Sequence, residues 1–239
     1  MLNTINRALK GYIRRLQRNF SDNAKLSYSQ CGEDLILSQL FHDLGVSKIT
    51  YLDVGAHHPS YLSNTYLFYN RGCYGVCIEP DPTLFMKFLH DRPRDINLNC
   101  GVGPTEGIAD FFILSTPGLN TFSAQEAAKY TASGSYSVHH KMKIEIQLIN
   151  HIIASNFSSC PNLVSIDIEG WDLAVLRSLD FHKYRPEVFC IETLSFTEDN
   201  SERKLTEIID FMHQNDYITY ADTYINTIFV DRKSWIDRA

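Results

Sequence analysis

Four apolar runs in this chain finish in acidic residues. Tyr51-Leu52-Asp53-Val54-Gly55-Ala56-His57-His58-Pro59 carries an acid, one glycine and then polar residues. Gly75-Val76-Cys77-Ile78 leads into Glu79-Pro80-Asp81. Leu163-Val164-Ser165-Ile166 leads into Asp167-Ile168-Glu169-Gly170, and Pro186–Glu192 closes on Glu192-Thr193. Short apolar runs of this kind read as buried strands. In open parallel sheets, ligands bind at the carboxyl ends of the strands. A glycine there lets a ligand approach the backbone, and an acid after the second strand accepts hydrogen bonds from ribose hydroxyls. The pairing of Asp53 and Gly55 with Glu79 therefore points to a nucleotide-type cofactor.

The loop after the first strand narrows the choice. A dinucleotide needs G-x-G-x-x-G, because a pyrophosphate rests on bare backbone at a helix N-terminus. Only Gly55 is present, and His57, His58 and Pro59 fill positions that must be small. S-adenosyl-L-methionine (SAM) carries no phosphate. It needs one close approach, an acid for its ribose and polar groups for its amino and carboxylate ends. Asp53, Gly55 and Glu79 suit that list.

These residues need elements to hold them. The order after residue 27 is strand, helix, strand, helix, strand, which implies a parallel sheet with right-handed crossovers. The expected elements are Ile49–Val54, a helix at Ser63–Arg71, Gly75–Glu79, a helix at Thr83–His90, and a third strand at Ile96–Val102. Ala109–Leu114 reads as a strand returning from a turn at Gly103–Gly107. Residues 115–143 are rich in Gly, Ser, Thr and Tyr, apart from a short helix near Gln125–Tyr130. Long polar connections in compact domains are usually functional. This one reads as a flap over the strand ends, with Asn120, Thr121, Phe122, Tyr136, His139 and His140 as substrate contacts, or as an ordinary surface loop. Beyond it come Ile144–Leu148, helices at Ile149–Asn156, Asp172–Leu179 and Glu202–Asn215, and a closing hairpin of Tyr217–Ala221 and Thr227–Val230. That hairpin places an antiparallel strand in the sheet. Glu33 and Asp34 open an amphipathic helix, where acids suit the helix dipole.

Composition excludes several classes. A chain of 239 residues with 44% hydrophobic and 12% aromatic content has ample core for one α/β domain. A net charge of −6 gives no basic footprint for a nucleic-acid partner. No apolar run is long enough to span a bilayer, and no signal-peptide core is expected. The six scattered cysteines, Cys31, Cys73, Cys77, Cys100, Cys160 and Cys190, read as reduced thiols of a cytoplasmic protein. Residues 1–26 stand apart as an N-terminal segment, with 27–239 as the domain. Leu2, Ile5, Leu9, Ile13, Leu16 and Phe20 recur at helical spacing among Arg7, Lys10, Arg14, Arg15 and Arg18. Such a helix either lies on an anionic membrane surface or packs on the domain or a second subunit.

At the level of motifs, the chain resembles the FkbM-type SAM-dependent methyltransferases. Ser27-Tyr28-Ser29-Gln30-Cys31-Gly32-Glu33-Asp34, Leu52–Pro59, Ser63-Asn64-Thr65, Cys77-Ile78-Glu79-Pro80 and Ser165–Gly170 carry the likeness, in the family's order and spacing, across about residues 27–232. The resemblance implies a Rossmann-like methyltransferase fold: a seven-stranded, mostly parallel sheet in the order 3-2-1-4-5-7-6, with strand 7 antiparallel. It also implies methyl transfer to an oxygen, commonly a hydroxyl of a sugar, glycan or glycosylated natural product. Asp53 and Gly55 would shape the first cofactor loop and Glu79 would bind the ribose. Asn99 or Cys100 would lie near the adenine, and Gln30 and Asn64 near the methionine end.

A hydroxyl acceptor needs a base for its proton. His57, His58, Asp167, Glu169 and Glu192 are the candidates. Histidine has the better-placed ordinary pKa, near ~6.5. His58 beside Pro59 reads equally as a loop residue bonded to backbone. Asp167 and Glu169 share a strand-to-helix turn, so one faces the site while the other is free to cap the helix near Asp172. Asp167, Glu169 and Glu192 could instead hold a divalent metal that lowers the acceptor's pKa. Two other classes stay open: an NAD-dependent oxidoreductase, disfavoured by the missing glycines, and a non-catalytic SAM-binding module, disfavoured because buried acids without a role are costly.

Overall fold

The computed structural model describes residues 24–132, 134–195 and 202–238. The amphipathic pattern of residues 1–20 lies outside them. The chain enters through α1 (Glu33–Asp43) and alternates β1 (Thr50–Val54), α2 (Tyr66–Asn70), β2 (Tyr74–Ile78), α3 (Pro82–Asp91) and β3 (Ile96–Leu98). Next come β4 (Gly101–Val102), β5 (Gly107–Leu114), a short 3-10 turn at Pro117–Leu119, α4 (Ala124–Thr131) and β6 (Val138–Gln147). The remainder is α5 (Ile149–Asn156), β7 (Leu163–Ile166), α6 (Asp172–Ser178), β8 (Val188–Glu192), α7 (Thr206–Gln214), β9 (Tyr217–Asp222), β10 (Asn226–Asp231) and α8 (Arg232–Ile236).

Seven strands form one sheet in the order β3-β2-β1-β7-β8-β10-β9. Counted within that sheet alone, chain order reads 3-2-1-4-5-7-6. β10 runs antiparallel to both neighbours, β8 and β9, and the other pairings are parallel. The α/β class follows from covering both faces of these strands, which also explains their nearly continuous apolar runs. On one face Leu52, Val54, Val76, Ile78, Val164 and Ile166 pack with Ile152 of α5, Leu176 of α6 and Met212 of α7. On the other, Tyr51, Cys77, Leu163, Val188 and Cys190 pack with Leu37, Leu40 and Phe41 of α1 and with Phe68 and Phe88. Each fully buried aliphatic side chain contributes about 1.5–3 kcal/mol. These two layers hold the strand ends rigid.

Three expectations are corrected. The run Ile96–Val102 is not one strand: it breaks at Asn99-Cys100, leaving β3 in the large sheet and moving β4 into a second sheet ordered β4-β6-β5. The cause is the Asn99 amide, which donates to the carbonyls of Glu79 (2.8 Å) and Pro80 (3.0 Å) and turns the chain away. Second, residues 138–143 are not loop. They begin β6, which pairs antiparallel with the whole of β5. Asp110 lies between Lys141 (3.0 Å) and Lys143 (2.6 Å) on that ribbon, so charge pairs hide the strand pattern. Third, the helix expected from Ser63 starts only at Tyr66, because the Ser63 hydroxyl accepts from the Tyr66 N–H (3.1 Å) as a turn residue.

All six cysteines are unpaired, and Cys77, Cys100 and Cys190 are buried. Among the described residues, no helix is long and apolar enough to cross a membrane.

Candidate active site

The carboxyl ends of β1, β2, β7 and β8 open into a crevice of about 360 Å³. Gly55 turns the chain at its floor with φ 78°. A Cβ there would stand 1.8 Å from the Asp167 carbonyl oxygen. The glycine is thus required first by the neighbouring strand, a reason the sequence reading had assigned to a ligand. His57, also left-handed at φ 53°, turns its N–H toward Glu79 Oε2 (2.8 Å). Glu79 Oε1 accepts from the Asp81 N–H (2.8 Å). Each Glu79 oxygen keeps a further lone pair, and burial pushes the carboxyl up to about 8. Asp81 caps α3 through the Thr83 N–H (2.8 Å) and accepts from the Asn120 amide (3.2 Å).

Asp53 lines the crevice, but one of its oxygens is turned inward. Its Oδ2 accepts from Thr65 Oγ1 (2.5 Å), with Arg92 Nη1 behind at 3.9 Å. Burial raises its pKa, and the Arg92 charge opposes that rise. Arg92 is 0% exposed. Its Nε donates to Asp95 (2.8 Å) and its Nη1 to Thr65 (2.9 Å). Asp95 also accepts from the Tyr51 hydroxyl (2.8 Å) and the Gly75 N–H (2.9 Å). This network fixes Thr65, and so its neighbour Asn64, whose amide donates to Ser165 Oγ at the crevice wall (3.2 Å).

Gln30 reaches the mouth of the crevice because Glu33 and Asp34 clasp its segment. Asp34 accepts from the hydroxyls of Ser27 (2.6 Å) and Ser29 (3.0 Å) and from the Tyr28 N–H (2.7 Å). Glu33 accepts from the Cys31 N–H (2.8 Å) and ties the far end of the sheet through Thr223 (2.7 Å) and Asn226 (3.0 Å). The two acids therefore do more than neutralise a helix dipole.

Asp167, Glu169 and Glu192 come together as the sequence order suggests. One oxygen of each lies within 4.8 Å of the others. Burial, then the Asp172 charge, pushes Asp167 up to about 7. Burial and neighbouring carboxylates raise Glu169 and Glu192 well above the usual range. The group shares protons as a coupled set. Glu169 adopts φ 54°, and its Oε2 accepts from the Tyr130 hydroxyl (2.5 Å). Thr121 Oγ1 donates to the Glu169 carbonyl (2.7 Å), and Phe122 stacks on Trp171 at 5.2 Å. The segment from 117 to 131 is thereby pinned against the loop that carries Glu169. Neither Asp167 nor Glu169 caps α6. Asp172 does the local capping itself, accepting from the N–H groups of Ile168 and Gly170 (both 3.1 Å).

Other candidates lie elsewhere. His58 Nδ1 accepts from the N–H groups of Ser60 (3.3 Å) and Tyr61 (3.1 Å), which occupies one ring nitrogen as a loop cap. His57 does face the crevice, and burial, then the His58 charge, lowers its pKa. Asn99 is spent on the backbone turn described above, and Cys100 sits in the core at 2% exposure. Asn120, Phe122 and Tyr136 line the crevice, while His139 and His140 stand exposed on β6. Tyr130, Arg92 and Asp95 were not found by sequence reasoning. A tyrosine in a polar stretch and an Arg-x-x-Asp after a helix carry no spacing signal.

The raised carboxyls set a pH dependence. Glu79 moves from 4.5 to about 8 and Asp167 from 3.8 to about 7. Between those limits the folded chain binds more protons than the unfolded one, so this stability is present at low pH and is lost as pH rises. The melting temperature by calorimetry should be lower at pH 8 than at pH 5.5, and Glu79→Gln should flatten the slope. A melting temperature that rises across that window would contradict the assignment.

Comparison with known proteins adds the following. Residues 53–219 match the family model described as the Methyltransferase FkbM domain. No curated protein matches. Similar solved structures include an FkbM methyltransferase from Methylobacillus flagellatus KT, at 15% identity and TM-score 0.42 over 77% of this chain. The chain spans 43% of that protein's length. A precorrin-6y C5,15-methyltransferase from Geobacter metallireducens GS-15 is 12% identical, with TM-score 0.43 over 89% of this chain and 94% of the other. A TehB-like SAM-dependent methyltransferase from Corynebacterium glutamicum ATCC 13032 Kitasato is 11% identical, with TM-score 0.41 over 93% and 97%.

Proposed function

Because the chain belongs to the FkbM methyltransferase domain family, we propose that it transfers a methyl group from SAM to a hydroxyl oxygen of a sugar or glycan-type acceptor. The observation that carries this reading is one crevice holding both a buried acid after β2 and a group of acids after β7 and β8. The residues fit the cofactor. Glu79 retains lone pairs for two ribose hydroxyls, Gln30 and Asn64 offer amides at the opposite wall, and no glycine-rich phosphate cradle is present.

SAM, when bound, supplies an electrophilic methyl carbon on a sulfonium. The chain's own part is to align the acceptor oxygen and accept its proton. Glu169 suits the second task. Its Tyr130 hydrogen bond favours the ionised form over its two carboxyl neighbours. Glu192, between Asp167 and Glu169, is the member most strongly held protonated by like charges. Binding of S-adenosylhomocysteine tests the cofactor assignment. Calorimetry should show micromolar binding by the intact protein, at least tenfold weaker in Glu79→Ala. Binding of NADH in its place would revive the oxidoreductase reading.

One observation favours a second reading of the proton's fate. Three carboxylate oxygens within 4.8 Å form a hard oxygen donor set for a divalent cation. Such an ion would lower the pKa of the acceptor hydroxyl. Under this reading, exhaustive chelation should abolish transfer and added magnesium or manganese restore it. Full activity after chelation leaves Glu169 as the base.

A further inference from the structure

A second cavity, of about 520 Å³, shares Glu169, Glu192, Leu194 and Ser195 with the first. It lacks Glu79, Gly55 and Asn64, so it belongs to a different ligand moiety. Its described walls come from α4, the start of α6 and the start of α7. Two kinds of surface meet there. Leu173, Leu205 and Ile208 supply aliphatic area, while Glu126, Glu169, Glu192 and Glu207 supply hydrogen-bond acceptors. Of the cations present, Lys129 is paired with Glu126 (3.1 Å) and Lys204 with Asp222 (2.8 Å). With Arg203 included, acids still outnumber bases on the wall.

We propose that this second cavity is the acceptor site, that it takes an uncharged sugar ring, and that the hydroxyl to be methylated reaches Glu169 through the shared wall. This rests on the methyltransferase reading above. A pyranose presents a C–H face that packs on aliphatic side chains, and hydroxyls that donate to carboxylates. A phosphorylated or uronic sugar would bring its charge toward an excess of acids, which disfavours it. Tyr130 stands where the cavities join, and its hydroxyl fixes Glu169 Oε2. It acts as a positioning residue, leaving the other Glu169 oxygen for the acceptor.

The test uses protein saturated with S-adenosylhomocysteine and a panel of probes: methyl glycosides of neutral hexoses and deoxyhexoses, glucuronic acid, and glucose 6-phosphate. Saturation-transfer NMR should detect at least one neutral glycoside and neither charged sugar. Leu205→Trp, at a position 38% exposed, should weaken that binding at least tenfold and leave S-adenosylhomocysteine affinity within twofold. Glu207→Trp, exposed on the same wall, repeats the blockade should Leu205→Trp misfold. Unchanged glycoside binding in both variants overturns the site. Binding of the charged sugars alone, or of no neutral glycoside at tens of millimolar, overturns the substrate class. Failure of the wild type to bind S-adenosylhomocysteine sinks the methyltransferase reading instead, so the two failures are distinct.

Discussion

Replacing Glu169 by glutamine is expected to slow methyl transfer about 10²–10⁴-fold, the range for loss of a positioned general base. The substitution keeps the shape of the side chain. Tyr130 can still donate to the new amide oxygen, so the hydrogen bond now measured at 2.5 Å persists. The cofactor acids after β1 and β2 are untouched, and S-adenosylhomocysteine affinity should stay within twofold. Stability should hold or rise, because one of three crowded carboxylates is removed from Asp167 and Glu192. A purely structural Glu169 would show the reverse pattern: lower melting temperature and modest kinetic change. The measurement is label transfer from methyl-labelled SAM to a glycan pool, alongside calorimetry. Retention of full activity would move the base to Asp167 or to a bound cation.

The large sheet was legible in the sequence for a simple reason. β1, β2, β7 and β8 are buried on both faces, so they appear as unbroken apolar runs whose polar ends mark the crevice. Their acids could be placed at strand ends without knowing any contact. The β9–β10 hairpin was equally visible from its turn. The second sheet was not. Val138-His139-His140-Lys141-Met142-Lys143 has one apolar and one charged face only once β5 lies beside it. The break at Asn99 is set by two carbonyls twenty residues away, which no local pattern records.

Within the site, residue type predicted location better than role. Glu79, Asp53, Gln30, Asn64 and the three later acids all reach the crevice. Gly55 was read for ligand approach, yet the carbonyl of Asp167 already demands it. His58 looked like a base by its pKa, but its Nδ1 serves the loop. In each case a long-range contact or a local backbone demand uses a group whose chemistry alone suggested another task. Function and support are drawn from the same residue types, and only geometry separates them.

Arg92→Met should produce the largest loss of stability. Arg92 is fully buried and charged, against Asp95 at 2.8 Å and over the rings of Tyr51 and Tyr69 at 5.3 and 5.2 Å. Removing one partner of a buried ion pair costs about 3–5 kcal/mol, because the other charge stays buried. At about 2–4 °C per kcal/mol for a chain of this size, the melting temperature should fall by roughly 6–20 °C. Asp95 would keep the Tyr51 hydroxyl and the Gly75 N–H, but no cation. Adding Asp95→Asn should recover part of the loss, since an asparagine oxygen still accepts those bonds and carries no charge. The effect also reaches the site: Thr65 loses its Arg92 donor, and Asp53 keeps Thr65 but loses the guanidinium behind it. Below its melting temperature, the single variant should bind S-adenosylhomocysteine more weakly than wild type. A melting shift under 2 °C, or no recovery in the double variant, would show that the ion pair is not what holds this wall in place.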